Sequence, residues 1–122
     1  AELMAELDPA VYVIDCIPNV GDEVGKLTVP FVKILRKKRP NTPILLVEDP
    51  RSHQSAANDS LGRAFNELVK GGDRAVYLLR GEGMLGDDGE STVDGVHPND
   101  LGFMRMACHF RPAIEVLLKP WE

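Results

Sequence analysis

Ile44-Leu45-Leu46-Val47 is four apolar residues in a row, with Pro43 before it and Glu48-Asp49-Pro50 after it. So short a run between turn-forming residues reads as a strand buried on both faces, which is the habit of a parallel sheet covered by helices. The flanks agree. From Asp22 to Arg39, Val24, Leu27, Phe31, Ile34 and Leu35 recur at helical spacing until Pro40 stops them, and Pro30 predicts either a kink or a restart near a Thr28 cap. After the strand, Asn58 or Asp59 is the expected cap of a helix carrying Leu61, Ala64, Phe65, Leu68 and Val69, closed by Gly71-Gly72.

Two more strand-like runs, Ala10 to Ile14 and Ala75 to Leu79, lie outside these helices. A short helical stretch with Leu3, Met4 and Leu7 on one face precedes the first. A glycine-rich loop, Arg80 to Val93, follows the last. It leads to a helix from Asp100 to about Leu118, with Phe103, Ala107, Phe110, Ile114 and Leu117 inward and a bend at Pro112. Strands alternating with helix-length crossovers imply an α/β fold, a three-layer α/β/α sandwich around a parallel sheet of about three strands. Residues 1–122 fit one domain. Ligands of open parallel sheets sit beyond the carboxyl ends of the strands. Those ends lead here into loops carrying Asn19, Ser52 with His53, and Asp94 with His97.

Composition narrows the function classes. Nineteen acidic against fourteen basic residues give a net charge of −5, which argues against sequence-independent nucleic-acid binding, a process driven by Lys and Arg at phosphates. The basic cluster Arg36-Lys37-Lys38-Arg39 reads as cations at a helix C-terminus. Cys16 and Cys108 lie far apart in sequence and read as buried free thiols. No apolar run approaches the roughly 20 residues that span a bilayer.

The chemistry concentrates in Thr92-Val93-Asp94-Gly95-Val96-His97-Pro98-Asn99-Asp100-Leu101-Gly102. A carboxylate three residues before an imidazole can reach it across a tight turn. It would then hold one ring nitrogen protonated and leave the other free to accept a proton. Gly95 permits the turn, Pro98 keeps His97 out of the helical region, and Asn99 is a good cap for the next helix. Asn19, just past a strand, could donate its side-chain NH2 to an oxyanion or bond its own backbone, and the residues alone weigh these evenly. His53 is a possible substrate-binding residue, although an exposed loop histidine is the default. His109 reads as a helix-face residue, and Asp87-Asp88-Gly89-Glu90 as a flexible acidic turn without calcium-loop spacing. Asp15 at a strand end is reminiscent of a metal-binding or phosphoacceptor Asp, on topology alone.

The V-D-G-V-H-P-N-D-L-G stretch, with Tyr12-Val13-Ile14-Asp15-Cys16-Ile17-Pro18-Asn19 after an upstream strand, resembles the SGNH hydrolases, or GDSL-like lipases and acylhydrolases. The resemblance covers nearly the whole chain in element order and is sharpest at residues 92–107. It implies Asp94 and His97 as the acid and base of a serine esterase triad and Asn19 as an oxyanion donor. The family's G-x-N-D block reads Ile17-Pro18-Asn19-Val20 here, so the Asn matches and its neighbours do not. Neither the G-D-S nucleophile block nor the following Gly block occurs. The resemblance therefore implies the C-terminal part of a hydrolase domain acting on small esters, such as acylated carbohydrate or lipid, with no metal or organic cofactor. It also leans towards an exported bacterial protein. Ser52, Ser55, Ser60 and Ser91 are poor substitutes for the nucleophile, since none sits in a Gly-flanked elbow, and Ser60 reads as a cap. The alternative is a non-catalytic binding or assembly module that keeps the fold. That module gains weight because the resemblance implies that the family's first two strands are missing here: in its sheet order, 2-1-3-4-5, the first would lie beside residues 10–15, predicting an uncovered edge that self-associates or captures a partner strand.

Overall fold

A computed structural model describes residues 1–51 and 55–118. The elements are α1 (Glu2–Glu6), β1 (Tyr12–Ile14), α2 (Ile17–Val20), a single 3₁₀ turn (Gly21–Glu23), α3 (Val24–Lys38), β2 (Ile44–Val47), α4 (Ser55–Lys70), β3 (Val76–Leu79) and α5 (Asp100–Leu118). The sheet is wholly parallel, in the order β1-β2-β3. Tyr12 pairs with Ile44 and Ile44 with Val76, fixing the register across all three strands.

All four residues of β2 are buried, and they alternate between two cores. Ile44 and Leu46 join Val24, Val32 and Leu35 of α3 and Ala57, Leu61, Ala64 and Leu68 of α4. Leu45 and Val47 face the other way, onto Met84 and onto Phe110, Ile114 and Leu117 of α5. This is the period of two of a strand with apolar layers on both sides. Leu46 is 1% exposed, so Leu46→Ala should cost about 2–5 kcal/mol by lost burial plus cavity. Chemical denaturation would then show a lower midpoint at unchanged slope; an unchanged midpoint would remove β2 from the core.

Several sequence expectations need correction. Val13 is 39% exposed, so β1 is not buried on both faces: α5 packs on β2 and β3 and leaves the far side of β1 open. The face of α3 runs through Val24, Thr28, Val32 and Leu35, with Leu27 outside. Thr28 caps nothing; Pro30 sits inside a continuous helix, and the Thr28 hydroxyl donates back to the Val24 carbonyl at 2.8 Å. Phe103 and Ala107 of α5 face solvent, and the inward stripe is Met106, Phe110, Ala113, Ile114 and Leu117. Cys108 is exposed and Cys16 half-buried, both free. Val69 is exposed too.

The end of α4 follows the glycine expectation. Gly72 adopts φ +95°, the Gly72 N–H donates to Val69 and the Asp73 N–H to Leu68, the paired bonds of a Schellman motif. Asp73 then accepts from the Arg36 Nε and Nη2 at 2.7 and 3.1 Å, while the Arg36 Nη1 donates to the carbonyls of Arg39 and Thr42. Arg36 thereby serves the carbonyl end of α3, as read from the sequence. Among the described residues, no helix is long and apolar enough to cross a membrane.

Candidate active site

Asp94 and His97 meet. The His97 Nδ1 lies 2.7 Å from the Asp94 Oδ2, and the Asp94 Oδ1 accepts the backbone N–H groups of Val96 (2.9 Å) and His97 (2.8 Å). The sequence folds this way locally because Gly95 takes φ +82°, a left-handed conformation that L side chains rarely adopt. The Gly95 N–H donates to the Thr92 hydroxyl, Val93 N–H donates to the His97 carbonyl, and Thr92 bridges Pro98.

These donors hold the Asp94 carboxyl down at about 2: first the His97 N–H, then its ring, then the Val96 N–H. A carboxylate ionised above that pH only accepts, so Nδ1 must carry the ring proton and the neutral ring offers Nε2 as a lone pair. Among the described residues Nε2 takes no hydrogen bond. The side chains are 50% (Asp94) and 75% (His97) exposed, so the pair opens to solvent. Its folded value lies below the ordinary one, so the turn's preference for the carboxylate is in place above pH 4 and is lost as pH falls through 2. A carbon-13 titration of the Asp94 carboxyl should show that low midpoint; a midpoint near 4 would mean that the three N–H donors are not engaged.

The helix cap is as read from the sequence. The Asn99 Oδ1 accepts the Gly102 N–H at 2.9 Å, and its Nδ2 donates to the Glu90 carbonyl. Gly102 is required, because a Cβ there would stand 2.1 Å from the Ser91 carbonyl oxygen.

Asn19 lies within α2 and not in an open loop. It is exposed, and its backbone N–H donates to Cys16. His53 and Ser52 lie outside the described residues. Asn58 is no cap: it sits in the first turn of α4 and brackets Asp49, accepting its N–H and donating to its carbonyl, both at 2.8 Å. Ser60 lies inside α4 and accepts from Arg63, and Ser55 opens the helix. Ser91 is buried, its hydroxyl donating to the Leu85 carbonyl. His109 faces the Arg80 carbonyl at 3.1 Å. The acidic turn is clasped, not loose, for Asp88 takes both terminal nitrogens of Arg105 at 2.6 Å.

Sequence reasoning missed the buried pair after β2. Asp49 is fully buried and takes the Arg51 Nε and Nη2 at 2.8 and 2.6 Å. These bonds raise the Arg51 guanidinium against the pull of burial, and the Asp94 carboxylate adds to the rise. Asp15 is likewise pushed up, first by burial and then by Asp49. Charges on the loops after β1, β2 and β3 thus feel one another, as expected for segments gathered at the carboxyl end of one sheet. The D-x-R spacing was the available signal, though it fits an exposed pair equally well. No cluster of His, Cys, Asp and Glu suited to a metal occurs among the described residues.

The architecture is an α/β fold with a wholly parallel sheet and an Asp-x-x-His turn in the loop between β3 and α5. The chain belongs to the GDSL-like lipase/acylhydrolase family, whose sequence model matches residues 1–115. A crystal structure of a candidate GDSL-like lipase from Bacteroides ovatus is 36% identical, with a TM-score of 0.91 over 97% of this chain and 39% of that one. The salicylyl-acyltransferase of a tetracycline biosynthetic pathway shares the fold at 22% identity and a TM-score of 0.73, over 95% of this chain and 40% of that one. The chain therefore spans about two fifths of the solved relatives' length. No curated protein matches it.

Proposed function

We propose that this chain is the C-terminal portion of a serine esterase or acylhydrolase domain, supplying the acid and base of the triad. The 2.7 Å contact between the His97 Nδ1 and the Asp94 carboxylate carries this reading. The nucleophilic serine comes from sequence outside residues 1–122. His97 takes the serine proton at Nε2 as the serine oxygen adds to the ester carbonyl, then passes it to the departing alcohol. Water attacks the acyl-serine by the same route, with the proton again received at Nε2 and returned to the serine. Asp94 holds the ring and balances its charge while it is doubly protonated, and Asn19 donates its side-chain NH2 to the tetrahedral oxyanion. His53 contacts the substrate, a small carboxylic ester such as an acylated carbohydrate or lipid. A panel of acyl esters offered to a protein carrying this chain with its nucleophile block should be hydrolysed. Failure on every carboxylic ester would sink the proposal.

The rival, a non-catalytic assembly module, draws on a different observation. One edge of β1 has no partner strand among the described residues, and beside it runs an open groove of about 420 Å³ lined largely by Met4, Val13, Ile14, Val20, Leu27 and Phe31. An open apolar edge invites pairing, so residues 10–15 should bring two copies of the isolated chain together. Sedimentation should show dimer growing with concentration; a clean monomer at high concentration would contradict it.

A further inference from the structure

The Asp94–His97 turn is exposed and shaped by its own bonds, and its two ends are tied to the rest of the chain. Both ends of the turn close on Ser91 and Asn99: Thr92 bridges Pro98, and the Asn99 N–H donates to the Ser91 carbonyl at 3.1 Å. Asn99 is fixed by the helix it caps. Ser91 is fixed by Arg105, one and a half turns into α5.

The Arg105 Nη1 reaches the Ser91 hydroxyl at 2.7 Å, the Leu85 carbonyl at 2.9 Å and the Asp88 carboxylate at 2.6 Å, and its Nη2 reaches the other Asp88 oxygen at 2.6 Å. The loop wraps tightly around the guanidinium. Gly86 has φ +74°, and a Cβ there would stand 2.7 Å from Nη1. The two hydrogens of Nη1 are shared among three acceptors, and Nη2 adds the second Asp88 oxygen; a lysine ammonium could serve the first three but cannot grip both Asp88 oxygens as a planar fork does.

We propose that Arg105 is a positioning residue for His97: it locks Ser91 to α5 and so fixes the base of the turn that presents the imidazole. The proposal rests on the hydrolase reading for its purpose, since displacement of a general base by about 1 Å can cost about 100-fold in rate. It touches neither substrate nor the reacting atoms.

Nuclear magnetic resonance of the 122-residue chain tests it without any turnover. In the parent chain, the His97 ring nitrogens should show the Nδ1-protonated form, and the Val93 and His97 amides should exchange slowly. In Arg105→Ala, the ring should shift towards the Nε2-protonated form common in free imidazole. Exchange at Val93 and His97 should then rise about tenfold or more, with that of α3 and β2 unchanged. Arg105→Lys should fall between, and Asp88→Asn, which leaves the bonds to Ser91 and Leu85, should change least. An Arg105→Ala chain with unaltered His97 nitrogens and exchange would overturn the proposal, as would exchange accelerated equally everywhere. If Arg105→Ala does not fold, Arg105→Lys and Asp88→Asn carry the test, and an unmoved His97 signal in Arg105→Lys overturns it. A protein inert on every ester but showing these shifts would refute the hydrolase reading and leave the positioning role standing.

Discussion

His97→Ala, made in a protein that joins this chain to its nucleophile block, should lower ester turnover by about 10⁶-fold, with little change in KM. The size follows from the imidazole's position. Among the described residues only Asp94 holds the ring, through Nδ1, and Nε2 is left as the sole acceptor for the serine proton. Asp94→Asn should cost less, about 10⁴-fold, because the amide keeps the turn partly bonded but no longer selects the Nδ1-protonated ring. Equal losses at both positions would point to collapse of the turn, which the amide exchange of Val96 and His97 would register. Retained turnover in His97→Ala would remove the imidazole from the chemistry altogether.

The second large effect concerns the chain itself. Residues 1–122 alone should hydrolyse esters about 10⁶-fold more slowly than the joined protein, since the step that fails is nucleophilic attack. Neither Ser91 nor Ser60 offers a replacement. Ser91 is buried with its hydroxyl bonded to Leu85 and Arg105, and Ser60 lies inside α4 bonded to Arg63. Ordinary turnover by this chain, abolished in His97→Ala, would place the nucleophile within it and overturn the proposal.

Much of this was legible in the residues because burial writes itself into period. The unbroken run Ile44 to Val47 announced a strand covered on both faces, and the alternation of its side chains between two cores confirms the reason. The Asp94–His97 contact was legible because every neighbour favoured it: a glycine at positive φ, a proline and a capping asparagine. What escaped was set by long-range partners. Leu27 and Phe103 fit a helical stripe, but which stripe is buried depends on where the sheet lies, and both face solvent. Val13 has the composition of a buried strand residue and is exposed because the cluster under α5 gathers residues of β2 and β3 and Val11 but none of β1. Asn58 looked like a cap and instead brackets Asp49 nine residues earlier, a pairing that no local spacing reveals. Arg105 sat unnoticed in a helix, although the acidic turn Asp87 to Glu90 was the charge it answers.

The proposal turns on a serine outside this chain acting through His97, and active-site labelling addresses it most directly. A serine-directed fluorophosphonate, applied to the joined protein and followed by peptide mapping, should modify one serine upstream of residue 1. Labelling should fall steeply in His97→Ala and be absent from the 122-residue chain alone. Label on a serine within residues 1–122, or labelling indifferent to His97, would contradict the account.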